Sequence, residues 1–490
     1  MDKGREVSDL KKRLDLLRKK KKPPGDPESL DEKSRSDRLP APQTDPSVAQ
    51  ESAAQEKVGA SERQNMLNHL RSLITDVLRR PHDTVKEETT APNAGLLTPD
   101  IVEGPGQSIE DLIPGEYLDT PHGPCFRVRT VYPRHHFQGS IAVSELLDLN
   151  PEPLEMLTGD PAMANMDFTK TLFLDTETTG LDTGAGVYIF LAGLGYFDEG
   201  SFVVEQYFMR DFPEEPAVLH ALAERMNRFE TVVTYNGKTY DWPLLESRFA
   251  MNRRQIPMQN SLHLDLLHVA RRLYKHRLDS CKLTSVEAGV LGFLRIDDIP
   301  GALLPERYFR YVRSRDARFV HQAFAHNAHD IVSMAALLAG VITFMQDPLA
   351  PGCFPAEDIY AFARIQGDGG DYIGAAKSYH EALKRGLNPA LYAQALMHLS
   401  LAYKRLEQWD KACEIWRTMT QTTRKTNEFP YVELAKYHEH QEKNYSEAEK
   451  WVLAAFENVP RLRFDRETHS ELMHRLNRIR AKQRAFDDIT

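Results

Sequence analysis

Residues 171–181, TLFLDTETTGL, constrain this 490-residue chain more than any other stretch. The run from Thr171 to Leu174, closed by Thr178, Thr179 and Gly180, predicts a short buried strand ending in a turn. Directly after the apolar residues come two carboxylates with one residue between them, Asp175 and Glu177. On a rigid support such a pair can share a cation that solvent still reaches. Hard oxygen ligands of this kind suit Mg²⁺ or Mn²⁺, the ions of phosphoryl chemistry. A D-x-E triplet alone is common by chance, so acids further along the chain must decide between a metal site and a polar strand end.

Two later segments supply them. VVTYNGKTYDWPLLESR at 232–248 reads as a strand, a turn at Asn236-Gly237 and a helix starting near Asp241, with Pro243 tolerated in its first turn. An Asp in that place more commonly caps the helix, and the two roles can coexist. HNAHDIVSMAALLAGVITF at 326–344 reads as an apolar helix opening with His326 and Asp330. Residues four apart share a helix face, so these two can point into one cleft.

The order Asp-x-Glu, Asn-x-x-x-Tyr-Asp, His-x-x-x-Asp resembles the ribonuclease H-like, DnaQ-like 3′–5′ exonuclease superfamily, named DEDD for its four acids. Asp175 and Glu177 match the first motif in its DTETTG context, Asn236, Tyr240 and Asp241 the second, and Asp330 the third. The resemblance spans roughly residues 165–345. It looks closest to the YprB-type branch of predicted bacterial exonucleases, through HLDLLHVARR (263–272), DDIPG (297–301) and VTYNGKTYDWPLL (233–245). It implies two-metal hydrolysis of single-stranded nucleic acid. Two Mg²⁺ or Mn²⁺ ions would be held by Asp175, Glu177, Asp241 and Asp330, with Thr178, Asn236 and Tyr240 on the substrate. The sequence departs from the pattern at one place. Histidine-type members carry the base five residues before the last Asp, where this chain has Ala325, and His326 stands at the tyrosine-type spacing. His326 is the expected base, its ordinary pKa lying near neutrality. His329 is a poorer substitute.

By the same resemblance Asp265, between His263 and His268, is expected to serve structure or to support the ligands from behind rather than bind metal, and His135-His136 is expected to lie at the surface. Gly184-Ala185-Gly186 lacks a following Lys-Ser/Thr and reads as a hairpin turn. The net charge of −9 excludes wholesale electrostatic wrapping of DNA, so any basic footprint must be local. Cys125, Cys281, Cys353 and Cys413 are scattered, which predicts buried free thiols and a cytoplasmic location. The apolar stretch near 334–345 reads as a core helix too short for a bilayer, so no membrane partner is expected.

Residues 1–100 are charged and rich in Pro, Ser and Gln, which predicts disorder interrupted by two amphipathic helices. One helical stripe, Val7 to Leu17, runs into the basic LRKKKK; the other is Met66 to Leu78. Residues 101–165 form a lead-in region expected to pack on an α/β domain at 166–348, for which the resemblance implies a ribonuclease H-like mixed sheet. Strands near 171–175, 187–197, 202–208 and 231–235 predict an antiparallel meander followed by helices. Over 355–485, Tyr372, Trp409 and Tyr445 align, as do Ala375, Ala412 and Ala448 three residues on. That spacing is close to the roughly 34-residue tetratricopeptide period and predicts a short α-solenoid that binds a protein partner or guides a strand. The alternatives to an exonuclease are a scaffold working through these repeats and a structure-specific endonuclease.

Overall fold

The computed structural model describes residues 105–180, 186–422, 428–459 and 466–487. The two N-terminal stripes, the basic run at 17–22 and Gly184-Ala185 lie outside them. Among the described residues the strands are β1 (Glu116–Thr120), β2 (Gly123–Tyr132), β3 (Phe137–Gln138), β4 (Ile141–Ala142), β5 (Thr171–Thr178), β6 (Ile189–Asp198), β7 (Ser201–Phe208), β8 (Thr231–Thr234) and β9 (Leu262–Asp265). The helices are α1 (Ile109–Leu112), α2 (Pro153–Thr158), α3 (Glu215–Met226), α4 (Asp241–Met251), α5 (Leu266–Tyr274), α6 (Leu283–Val286), α7 (Leu304–Ser314), α8 (His321–Gln346) and α9 (Ala356–Asp368). After them come α10 (Tyr372–Arg385), α11 (Pro389–Arg405), α12 (Trp409–Thr422), α13 (Phe429–His440), α14 (Tyr445–Asn458) and α15 (Arg466–Asp487).

Seven strands form one mixed sheet in the order β1-β2-β7-β6-β5-β8-β9. The expected meander is β5-β6-β7, antiparallel throughout, while β8 and β9 run parallel to β5. The lead-in residues do more than pack alongside. Their hairpin β1-β2 pairs with β7 and extends the sheet by two strands. β5 also runs further than its apolar residues suggest. Asp175 and Glu177 lie inside the strand, paired opposite Gly193 and Leu191 of β6, and the register slips only between Glu177 and Thr178. A bulge at that point re-aims the strand end beside the site.

One face of the sheet carries α3, α4 and α7 through Leu172, Leu174, Phe190, Leu222, Leu245 and Tyr308. The other carries α5 and α8 through Phe173, Val204, Val233, Leu273 and Ile331. α8 contains the 334–345 stretch but starts at His321, thirteen residues before it begins. By length and composition it could cross a bilayer, contrary to the expectation that it is too short, but 78% of its apolar window is buried inside the protein. It lies close to the sheet because β6 offers no side chain there. A Cβ on Gly193 would stand 2.1 Å from Asn327 Oδ1, and one on Gly195 would stand 2.3 Å from Ile331 Cγ2. Both glycines are therefore spacers for helix approach.

The apolar core runs on without a break from α5 and α8 into α9–α12, and Arg277 pairs with buried Asp358 of α9 at 2.9 Å. Tyr372, Trp409 and Tyr445 each open the second helix of a pair, and Ala375, Ala412 and Ala448 are fully buried. Trp416 is also fully buried and donates its Nε1–H to Ser400 Oγ at 2.8 Å. The C-terminal helices thus fit a repeat solenoid. All four cysteines are free. Cys125 and Cys413 are buried, Cys281 is half-buried and Cys353 is exposed, so burial holds for two of them.

Candidate active site

β5 presents Asp175 and Glu177, two residues apart, on the face that receives α8. The helix answers with Asn327, whose Nδ2 donates to Asp175 Oδ2 at 2.8 Å and to its carbonyl at 3.1 Å. Asn327 is held in turn by Gln206 Nε2, which donates to its Oδ1 at 2.8 Å. Asp330, one turn further along α8, faces the same acids. Asp241 arrives from α4, where it is the first helical residue; Tyr240 precedes it as the cap position without a side-chain bond. Asp241 is therefore not the cap. Its Oδ1 accepts from the Thr176 hydroxyl, which ties α4 to β5.

Gathering four carboxylates inside a protein carries an electrostatic cost that the acids register. Burial, then the charges of Asp330 and Asp241, push the Asp175 carboxyl far above the ordinary range. Glu177 is driven the same way by burial and by Asp175, Asp330 and Asp241. Burial raises Asp241 to about 6 against the pull of the Thr176 bond. It also raises Asp330, although Arg295 and His326 pull it down. Proton uptake or nearby positive charge relieves such a cluster.

Part of that charge is built in. The Arg295 guanidinium bonds both oxygens of buried Glu287 at 2.7 Å, Asp298 Oδ2 at 3.1 Å, and Asp330 Oδ1. His326 reaches the centre with Nε2, 4.0 Å from Glu177 Oε1 and 3.9 Å from Asp330 Oδ2. Its Nδ1 sits 2.7 Å from Asp298 Oδ1. Bonds from His326 and Arg295 outweigh burial and hold Asp298 below its ordinary value. An ionised carboxylate only accepts, so the network assigns the ring proton to Nδ1 and leaves Nε2 turned to the acids. Arg295 Nη1, 3.4 Å from the same Nδ1, is then too far to compete and faces Asp298 instead.

The expected acids and His326 converge, and Ala325 is exposed away from them. His329 packs edge-on against Phe293 instead. Thr178 turns back to the Gly180 carbonyl at 2.6 Å. Asn236 takes the positive φ of its turn (68°), and Tyr240 stands 49% exposed. Among the described residues neither bonds to the acids. Asp265 is structural as expected: its carboxylate accepts from the backbone N–H of Asn236 at 2.8 Å, Lys238 at 3.2 Å and Leu267 at 3.0 Å, fixing the turn before Asp241. His136 is less exposed than expected and packs edge-on on Tyr132. Sequence reasoning missed Arg295, Asn327 and the role of Asp298. The paired glycines Gly193 and Gly195 were the available signal for a close helix and hence for Asn327.

The oxygen-rich, mutually repelling donor set fits divalent hard cations. Among the described residues, however, no three acidic, histidine or cysteine side chains already stand as a metal cage. Asp175, Asp241 and Asp330 are each turned to a protein donor, Asn327, Thr176 and Arg295 respectively.

Comparison with known proteins agrees with this architecture. The RNase H superfamily family RNase_H_2 matches residues 172–342. A Bacillus subtilis (strain 168) protein, "Uncharacterized protein YprB", is 31% identical over 337 residues, 66% of this chain and 78% of that one. A family B DNA polymerase from the archaeon Pyrobaculum calidifontis aligns over 48% of this chain and 28% of its own, with 15% identity and a TM-score of 0.29, too low to carry an argument. With the sheet, the acids and the repeats in place, the chain belongs to the YprB-type family, whose central domain is of the RNase H superfamily.

Proposed function

We propose that the protein is a metal-dependent 3′–5′ exonuclease acting on single-stranded nucleic acid. The observation that carries this reading is the meeting of Asp175, Glu177, Asp241 and Asp330 with the Nε2 of His326, on a sheet of RNase H type. Asp175, Glu177, Asp241 and Asp330 would hold two divalent ions, Mg²⁺ or Mn²⁺. Such ions, when bound, supply positive charge to the scissile phosphate and acidify water.

The chain's own groups do the rest. His326 Nε2 accepts a proton from the attacking water as its oxygen bonds to phosphorus. The bond from phosphorus to the 3′-oxygen breaks, and that oxygen takes a proton from solvent. Asp298 holds the imidazole in the tautomer this step needs. Asn327 fixes Asp175 on β5, and Arg295 restrains Asp330 until other positive charge replaces it. The half-exposed Tyr240 ring, Asn236 and Thr178 would meet the terminal nucleotide.

Cleavage of 5′-labelled and 3′-labelled single strands of RNA and DNA tests the reading. Stepwise shortening of the 5′-labelled strand, with early release of a labelled mononucleotide from the 3′-labelled one, is expected. Discrete internal fragments would make the site a structure-specific endonuclease. No cleavage with binding retained would make the protein a scaffold.

A further inference from the structure

Away from the acids, the last turns of the solenoid enclose a pocket of about 260 Å³ lined by Lys404, Trp409, Lys436, Tyr437, Arg475 and Arg478, among others. Glu433 is the one acid in its lining, and Glu439 lies behind the cations of its rim. Glu433, 5% exposed at its side chain, takes Lys404 at 2.5 Å and Lys436 at 2.6 Å. Glu439, fully buried, takes Arg478 at 2.8 Å, Lys482 at 2.8 Å and Arg475 at 3.4 Å. The cations stay partly open, with side chains 18–38% exposed. Four of these cations, Lys404, Lys436, Arg475 and Arg478, line the pocket against one acid, Glu433, and leave a positive mouth in a chain whose net charge is −9. Asp410, Glu442 and Glu471, whose charges reach Tyr437 or Arg475, do not line it. Crowding is felt: burial and the neighbouring Arg478 lower the Arg475 guanidinium from its ordinary value. An anion would relieve that repulsion.

Two aromatic rings complete the wall. Trp409 and Tyr437 lie 5.8 Å apart, tilted by 34°, and both are only half-buried. Cations beside partly open rings are the pattern that holds a phosphate and stacks a base. Guanidinium forks suit phosphate oxygens in particular. At 260 Å³ the pocket is smaller than the roughly 300–1,000 Å³ of drug-sized sites, which suits one nucleotide unit rather than an extended peptide.

We propose that this pocket between α11, α12, α13 and α15 is a second nucleic-acid subsite, which grips one phosphate and its base on a single strand. The reading leans on the nuclease assignment only for its choice of ligand. Binding is therefore measured without catalysis, by the anisotropy of fluorescein-labelled oligouridylate and oligothymidylate with full-length protein in EDTA. Lys436→Gln keeps a donor to Glu433, which Lys404 still pairs, and Arg478→Gln leaves Glu439 with Arg475 and Lys482. Each is expected to weaken binding about fivefold or more and to lower the salt slope by about 0.7 per lost contact. Trp409→Phe should reduce the tryptophan quenching that oligonucleotide causes, Trp242 beside Asp241 remaining. Lys384→Gln, on a lysine 80% exposed elsewhere on the repeats, should change nothing.

Unchanged affinity and slope in both pocket variants, with unaltered circular dichroism, would overturn the proposal. So would an equal loss in Lys384→Gln. An acidic peptide that binds tighter than the oligonucleotide, and is lost in the same variants, would assign the pocket to a protein partner instead. Pocket-dependent binding without any cleavage would sink the nuclease reading and leave this one standing. Cleavage with pocket-independent binding would do the reverse.

Discussion

Asp298→Asn should nearly silence the site while leaving its shape intact. The carboxylate serves two donors, His326 Nδ1 at 2.7 Å and Arg295 Nη1 at 3.1 Å. An amide has one accepting oxygen and one donating NH₂. Arg295 can only donate, so the amide oxygen must turn to it and the NH₂ to His326. The imidazole then has to accept at Nδ1, which moves its proton to Nε2. That nitrogen, now blocked, faces the gap between Glu177 and Asp330 where the water must be deprotonated. A hydrogen bond to a charged group contributes about 1.5–3 kcal/mol, so the tautomer bias changes by a factor of roughly 10 to 150. Accordingly kcat should fall about 10- to 100-fold with KM nearly constant, because binding contacts are untouched. Steady-state cleavage measures this, and ¹⁵N shifts of His326, assigned with His326→Gln, report the tautomer in metal-free protein. Wild-type kcat in Asp298→Asn, or a ring proton still on Nδ1, would refute the reasoning.

Three further predictions follow from other parts of the chain. Gly193→Ala drives a methyl into Asn327 Oδ1 and Ile331 Cδ1, so urea unfolding should show a loss of about 1–3 kcal/mol together with reduced activity; an unchanged midpoint would contradict the close α8 contact. Asp241 has a folded pKa near 6, above the usual 3.8, so its ionisation opposes folding as pH rises through that interval. In EDTA, Asp241→Asn should therefore match wild type near pH 4 and exceed it at pH 7, whereas Mg²⁺ at pH 7 should stabilise wild type more than the variant. A pH-independent difference would count against a repelling acid cluster. Hydrogen bonds from Arg478 and Lys482 outweigh burial and hold Glu439 down at about 2, so its contribution is complete above the ordinary value of 4.5 and lost as pH falls toward 2. Glu439→Gln should cost about 3–5 kcal/mol at pH 7 and progressively less below pH 4, and a constant cost in denaturant unfolding would reject the assignment.

The sequence announced the parts of this molecule that depend on local pattern. A strand ending in acids, a positive-φ Asn-Gly turn and recurring Tyr/Trp and Ala positions each follow from short-range rules, and β5, Asn236 and the solenoid stand where those rules put them. Asp175, Glu177, Asp241, His326 and Asp330 could be named because motif order survives in one dimension. What stayed hidden depends on distant segments meeting. The β1-β2 hairpin joins the sheet only through β7, seventy residues and more away in sequence. Arg295 and Asp298 lie in a loop whose meaning appears only when α8 places His326 and Asp330 against it. Asn327, between His326 and His329, gains its role only because Gly193 lets the helix descend onto β5. Helix length misled as well, since α8 begins with polar residues that mask its extent.

The central claim is that these four acids form a metal-dependent nuclease site, and cleavage of a 5′-labelled single strand by wild type and Asp175→Asn tests it most directly. Asparagine can still accept from Asn327 Nδ2, so the fold and strand binding should persist. The account predicts a ladder shortening from the 3′ end with Mg²⁺ or Mn²⁺, abolished by EDTA and absent in Asp175→Asn. Cleavage that survives either EDTA or the substitution would contradict it.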